Sequence, residues 1–130
     1  MILDYDCVRD VMLSIEALEQ GQYLNDTNSS VFPLLKEYPA DKIAYTVERL
    51  VEAGYIPNKR ITTPPYSRAH FEIDSLTWEG HQYLDCIRND DVWDKTRKKV
   101  SPLGGLPFSI MAEIAKGFIR IKLKELGIDY

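Results

Sequence analysis

The chain has 130 residues, 45% of them apolar and 28% charged, with a formal net charge of −4. These values exclude a disordered or collagen-like chain and fit one domain with an appendage better than two domains. No apolar run approaches the roughly 20 residues of a membrane span, and the opening MILDYDCVRD puts acids where a secretory signal needs a basic patch and an apolar stretch, so a cytoplasmic protein is expected.

The charge is unevenly spread. Residues 1–91 carry 8 basic and 16 acidic side chains, and residues 92–130 carry 8 and 4. An acidic body with a basic tail bears on partners and solubility rather than on fold. The two cysteines, Cys7 and Cys86, are far apart and lack metal-ligand spacing, so buried reduced thiols are expected.

A first helix is predicted over Tyr5 to Gln20, with Val8, Val11, Met12, Ile15 and Leu18 on one buried stripe, Asp4 or Asp6 as cap and Gly21 as stop. The run Asn25-Asp26-Thr27-Asn28-Ser29-Ser30 matches the glycosylation pattern twice but reads as a polar loop. A short second helix is predicted over Val31 to Tyr38, with Pro33 in its first turn and Pro39 ending it. A third runs over Asp41 to Ala53, turning Ile43, Val47, Leu50 and Val51 inward, with Gly54 as its stop.

Beyond Gly54 the period changes. Tyr55 to Thr62 and His70 to Leu76 read as strands of a hairpin, because Pro64 and Pro65 between them have no N–H to donate to a ladder. Helix, helix, helix and hairpin is the order of a winged helix-turn-helix, in which the third helix enters a groove and the hairpin forms the wing.

The run Leu76-Thr77-Trp78-Glu79-Gly80-His81-Gln82-Tyr83-Leu84 follows the hairpin. Leu76 ends the strand in the core, Thr77 caps a new helix, Glu79 suits the positive end of its dipole, and Gly80 lets the helix start lie close to the sheet. Trp78 and Trp93, on either side of this fourth helix, are expected in packing. A short helix capped by Asp90 or Asp91 then ends in the basic cluster Lys95 to Lys99, and Ser101-Pro102 and Gly104-Gly105 break the chain. The last helix, Phe108 to Leu126, is apolar on more than one side, so a second subunit or another protein is expected to cover part of it. Met111, Ile114, Phe118 and Ile121 form its continuous stripe and Ile119 lies off it, and a homodimer through these residues is the expectation.

The Leu76 to Leu84 run, continued through Asp85-Cys86-Ile87-Arg88-Asn89-Asp90-Asp91-Val92-Trp93, resembles the signature of an uncharacterised family, common in prophages and other bacterial mobile elements, known as domain of unknown function DUF2513. Val8-Arg9-Asp10, Ile43-Ala44-Tyr45, Leu50-Val51-Glu52-Ala53-Gly54 and Gly104-Gly105 share the resemblance, which spans nearly the whole chain. It implies a winged-helix fold in a phage-like setting. The family has no agreed biochemical activity, so no functional residues carry over.

The expected architecture is therefore mainly α with a β-hairpin (α+β): a winged helix-turn-helix over residues 1–89 and a helical C-terminal arm over residues 90–130. No enzyme is expected, because there is no phosphate-cradling glycine loop, nucleophile elbow or histidine–carboxylate pair beside a nucleophile. His70, His81, Asp85 and Cys86 include only one pair converging by spacing, so neither metal nor cofactor is expected. The first functional expectation is a DNA-binding regulator. Lys59, Arg60 and Arg68 would contact phosphate, while Lys42, Tyr45, Thr46 and Arg49 face the groove. Asp41, Glu48 and Glu52 on the same helix oppose it, since DNA affinity depends mainly on neutralising phosphates. The alternative is a winged helix reused to bind protein, for instance a phage inhibitor of a host factor, with the acidic surface as its interface.

Overall fold

A computed structural model describes residues 1–58, 61–62 and 70–129, with backbone only at 61–62. Among the described residues five α-helices and a small antiparallel sheet give a mainly α, α+β arrangement, in two compact units, Met1–His81 and Gln82–Tyr130. The division falls inside the fourth helix of the sequence reading rather than after residue 89.

Helix α1 (Tyr5–Glu16) begins where the Asp4 carboxylate accepts the N–H groups of Asp6 and Cys7, at 3.0 and 3.1 Å. Its inner stripe, Cys7, Val8, Val11, Met12 and Ile15, is buried throughout. The helix stops short of the expected Gln20. The Gln22 side chain accepts the Glu19 N–H at 2.9 Å, the donor that a continuing helix would direct to the Ile15 carbonyl. That carbonyl instead takes the Leu18 N–H in a tighter turn.

Strand β1 (Leu24–Asn25) is too short to leave a period-two pattern and was not expected. The asparagines of the polar loop hold its shape: Asn28 Oδ1 accepts the Asn25 N–H at 2.8 Å, and Asn25 Oδ1 accepts the Thr27 N–H at 2.9 Å. The helix expected over Val31 to Tyr38 is absent. A 3-10 turn at Ser29–Val31 and successive turns replace it. Only Leu35 of this segment is fully buried, whereas Val31 and Leu34 face solvent, so there is no apolar stripe to offset the cost of nucleating a helix.

Helix α2 (Ala40–Glu52) buries Ile43, Ala44, Thr46, Val47 and Leu50 against α1. It ends in a Schellman motif: Gly54, at φ +83°, donates to the Val51 carbonyl and Tyr55 to that of Leu50. Strands β2 (Ile61–Thr62) and β3 (His70–Ile73) pair antiparallel, Ile61 opposite Phe71 and Thr62 opposite His70. β1 pairs with the other edge of β3, Leu24 opposite Ile73, so β3 is the central strand. Both hairpin strands are shorter than the predicted 55–62 and 70–76, and the predicted tip, 63–69, lies outside the described residues. Phe71 and Ile73 turn into the core.

Helix α3 (Trp78–Ile87) starts at the expected cap, with Gly80 N–H donating to Thr77 Oγ1 at 3.0 Å. Thr77 is itself fastened to the end of α2, through its hydroxyl on the Gly54 carbonyl and its N–H on the Tyr55 carbonyl.

In the second unit Asn89, rather than Asp90 or Asp91, caps helix α4 (Asp90–Val100), accepting the Val92 N–H at 3.0 Å. The two aspartates occupy the first turn and Arg97, Lys98 and Lys99 the last, both favoured by the helix dipole. Helix α5 (Phe108–Glu125) packs on α4, with Tyr83 stacked on Phe108 at 4.7 Å between ring centres. Asp91 receives Lys95 from its own helix at 3.1 Å and Lys122 from α5 at 2.8 Å.

The expected stripe of α5 does not form one face. Met111 is fully buried together with Ala115, so Met111 belongs to the chain's own core and is withdrawn from the interface. Ile114, Phe118 and Ile119 are half-buried, and the exposed large apolar side chains of α5 are Ile110 and Ile121. Ala115, one turn beyond Met111, lets the helix settle on that side.

Candidate macromolecule-binding face

With Ile43, Thr46, Val47 and Leu50 inward, helical spacing puts Asp41, Tyr45, Glu48 and Glu52 on the opposite line of α2, at i, i+4, i+7 and i+11. Asp41 and Glu52 are exposed, and Tyr45 and Glu48 half-buried. The outward line of this helix is three carboxylates and a phenol.

The two cations of α2 flank that line and are held by acids. Lys42 reaches Asp4 at 2.9 Å, the carboxylate that also caps α1. Arg49 lies 3.1 Å from Glu52 and 3.4 Å from Glu48, with its guanidinium 5.1 Å from the Tyr45 ring centre. Thr46, expected to face a groove, is 1% exposed. Its hydroxyl donates to the Lys42 carbonyl at 2.8 Å and lies 3.4 Å from Cys7 Sγ, so it seals the α1–α2 contact. Lys59, Arg60 and Arg68 lie outside the described residues.

The α1–α2 seam is polar as well as apolar. Tyr38 donates to Asp10 at 2.7 Å. Burial pushes the Cys7 thiol up to about 11, and the Thr46 hydroxyl opposes this only in part, so the group is an inert thiol rather than a nucleophile. Burial also raises Asp4, but the hydrogen bonds from Lys42 and the α1 N–H groups outweigh it and hold the carboxyl below 3.8. The Asp4 hydrogen bond holds Lys42 above 10.5.

These shifts set a pH window. The depressed Asp4 contributes stability that is complete above about 3.8 and is lost as pH falls through its lower folded value. The raised Lys42 contributes stability that is complete below about 10.5 and is lost as pH climbs through its higher folded value. In Lys42→Met, carboxyl NMR titration should find the Asp4 midpoint moved upward. An unchanged midpoint would show that the pair does not persist in solution.

The face also includes a residue that sequence reasoning placed in packing. Trp78 is 74% exposed, whereas Trp93 is buried as expected. Because Thr77 is anchored on Gly54 and Tyr55, α3 and its first residue, Trp78, begin next to the turn that ends α2. Its position directly after a cap was the available signal, since first-turn side chains of a packed helix often point outward.

Two adjoining surface cavities of about 370 and 290 Å³ lie between the end of α1 and the 28–34 segment; Gln22, Tyr23 and Asn28 give the larger a polar wall, Leu13, Phe32 and Leu34 make the smaller mostly apolar, and neither is lined by a carboxylate, histidine or cysteine. His70 meets Asp26 at 2.8 Å and His81 lies 3.7 Å from Glu16. Among the described residues no three His, Cys, Asp or Glu side chains group closely enough to hold a metal, and no helix is long and apolar enough to cross a membrane.

Residues 2–106 match the family described as Hypothetical protein (DUF2513), which leaves α5 outside the matched region. The chain is also 26% identical over 99 residues to an uncharacterized protein of Haemophilus influenzae, covering 75% of this chain and 76% of the relative. No solved structure matches.

Proposed function

We propose that this chain, which belongs to the DUF2513 family, is a winged-helix protein-interaction module whose α2 face docks a basic surface of a protein partner. The order helix, strand, helix, hairpin, with the central strand β3 between β1 and β2, supports a winged helix whose second helix has shrunk to turns. Under that reading α2 stands where such folds carry the helix that enters a groove.

The observation that favours protein over duplex DNA is the outward line Asp41, Tyr45, Glu48 and Glu52: Lys42 is taken up by Asp4, and Arg49 by Glu48 and Glu52, so no cation of the helix is left over for phosphate. Phosphate contacts supply most DNA affinity, and carboxylates at groove distance oppose them. A basic protein surface is the complementary target. Tyr45 and the exposed Trp78 are residue types that dominate protein interfaces, and they supply apolar anchors within this acidic field. A mobile-element inhibitor of a host factor is the biological form that suits such a module. The DNA-regulator reading rests on Lys59, Arg60 and Arg68, which fall in a segment without acids.

Affinity capture from the host with the full chain as bait tests the reading. Glu48→Lys/Glu52→Lys and Trp78→Ala should each lose the protein that wild type retains, while their melting temperatures stay within a few degrees. A partner that stays bound to both variants would place the interface elsewhere.

A further inference from the structure

Helix α5 carries a second surface, independent of the acidic face. Ile110 and Ile121 are 45% and 52% exposed, and Ile114 is half-buried. Helical spacing puts Ile110, Ile114, Gly117 and Ile121 on one line, at i, i+4, i+7 and i+11. Gly117 interrupts the middle of an 18-residue helix, where glycine weakens the helix and alanine would be preferred. Its own fold gives no reason for it, since a Cβ there would meet nothing within 4 Å. The line is therefore exposed at its two ends, Ile110 and Ile121, with the half-buried Ile114 beside a notch at Gly117.

We infer that this line pairs antiparallel with the α5 of a second copy of the chain. Placing Ile110 opposite the partner's Ile121 also places Ile114 opposite the partner's Gly117, so the bump of each helix fills the notch of the other. The register is its own mirror under a two-fold axis, as an isologous contact requires. The charges fit the same arrangement. Glu113, Arg120 and Lys124 border the line on one edge, and antiparallel pairing brings like edges together. Glu113 then stands within one turn of the partner's Arg120, twice over. In a parallel two-fold pair unlike edges would meet instead, and Glu113 of one copy and Arg120 of the other would lie on opposite sides of the contact. A second copy is thus the occupant for which the surface is complementary in shape and in charge.

The line from Ile110 to Ile121 is about 17 Å long at 1.5 Å per residue. A contact along one line of a single helix is narrow beside the interfaces of about 1,200–2,000 Å² that hold stable complexes, so weak, concentration-dependent self-association is expected.

Sedimentation velocity and light scattering of the full chain between about 5 and 500 µM test the pairing. The mass should rise from 15.0 kDa toward twice that value. Gly117→Leu should fold with an equal or higher melting temperature, because its side chain enters open space, yet weaken self-association at least 10-fold by closing the notch. Glu113→Arg should weaken it as well, and Glu113→Arg/Arg120→Glu should restore it. A mass of 15.0 kDa at hundreds of micromolar overturns the pairing. So does a dimer that Gly117→Leu leaves intact, or one that the double charge swap fails to recover.

Discussion

Gly80→Ala should destabilise the Met1–His81 unit at the upper end of the about 1–3 kcal/mol typical of overpacking. On helix propensity alone the change would help, by about 1 kcal/mol for an alanine replacing a helical glycine. Packing decides the sign. A Cβ on Gly80 would lie 2.3 Å from the Tyr55 carbonyl oxygen, 3.1 Å from its carbon and 3.3 Å from Leu76 Cβ. The first two are backbone atoms, and the backbone there is held from several sides. The Tyr55 carbonyl accepts the Thr77 N–H at 3.0 Å, its N–H donates to Leu50 at 2.9 Å, and the Thr77 hydroxyl holds Gly54. Relief of the clash therefore requires α3 to move off the end of α2, carrying Thr77 and Leu76 with it. Urea denaturation of the variant should show a lower midpoint with little change in slope. A higher midpoint would mean that α3 does not start against Tyr55.

Met111→Ala should cost about 2–5 kcal/mol, the range for truncating a fully buried methionine. Met111 is 0% exposed on the side of α5 that settles with Ala115, and its loss leaves a void that the backbone of an 18-residue helix does not readily close. Ile121→Ala removes a comparable apolar side chain from the same helix but should stay within about 0.5 kcal/mol, because Ile121 is 52% exposed. Both are measured by chemical denaturation at low micromolar concentration, where self-association does not contribute. Equal losses would mean that α5 presents a different face to α4.

The contrast between Met111 and Ile121 shows why the arm was only half legible in the sequence. Apolar positions more than one stripe wide reveal that a helix is buried on several sides, yet not which stripe faces its own chain. That choice depends on what α4 and Tyr83 present to it, and on the small side chain of Ala115. Features fixed by neighbours in sequence were easier to read. The α1 stripe, the Thr77 cap, the stop at Gly54 and the antiparallel hairpin follow from period, capping chemistry and glycine's freedom at positive φ, as at Gly54. Two local readings failed for local reasons. The Gln22 side chain ends α1 early, and a segment with Leu35 as its one buried anchor does not become a helix. Long-range pairing was not legible at all. Lys42 looks like a groove-facing cation until Asp4, 38 residues away, is found beside it, and Thr46 looks like a reading group until α1 covers it. The acidic line of α2 was visible as spacing, whereas the neutralisation of its cations and the exposure of Trp78 required the fold.

Titration of the purified full chain against a labelled duplex of mixed sequence at about 50 mM salt, followed by fluorescence anisotropy, tests the acidic-face account most directly. That account predicts no saturable rise at tens of micromolar, because the helix that would enter the groove presents Asp41, Glu48 and Glu52 to the phosphates. Saturable binding that weakens steeply with salt would contradict it. If Arg60→Ala/Arg68→Ala then flattens the salt slope by about two units, the protein is a DNA binder acting through residues 59–68.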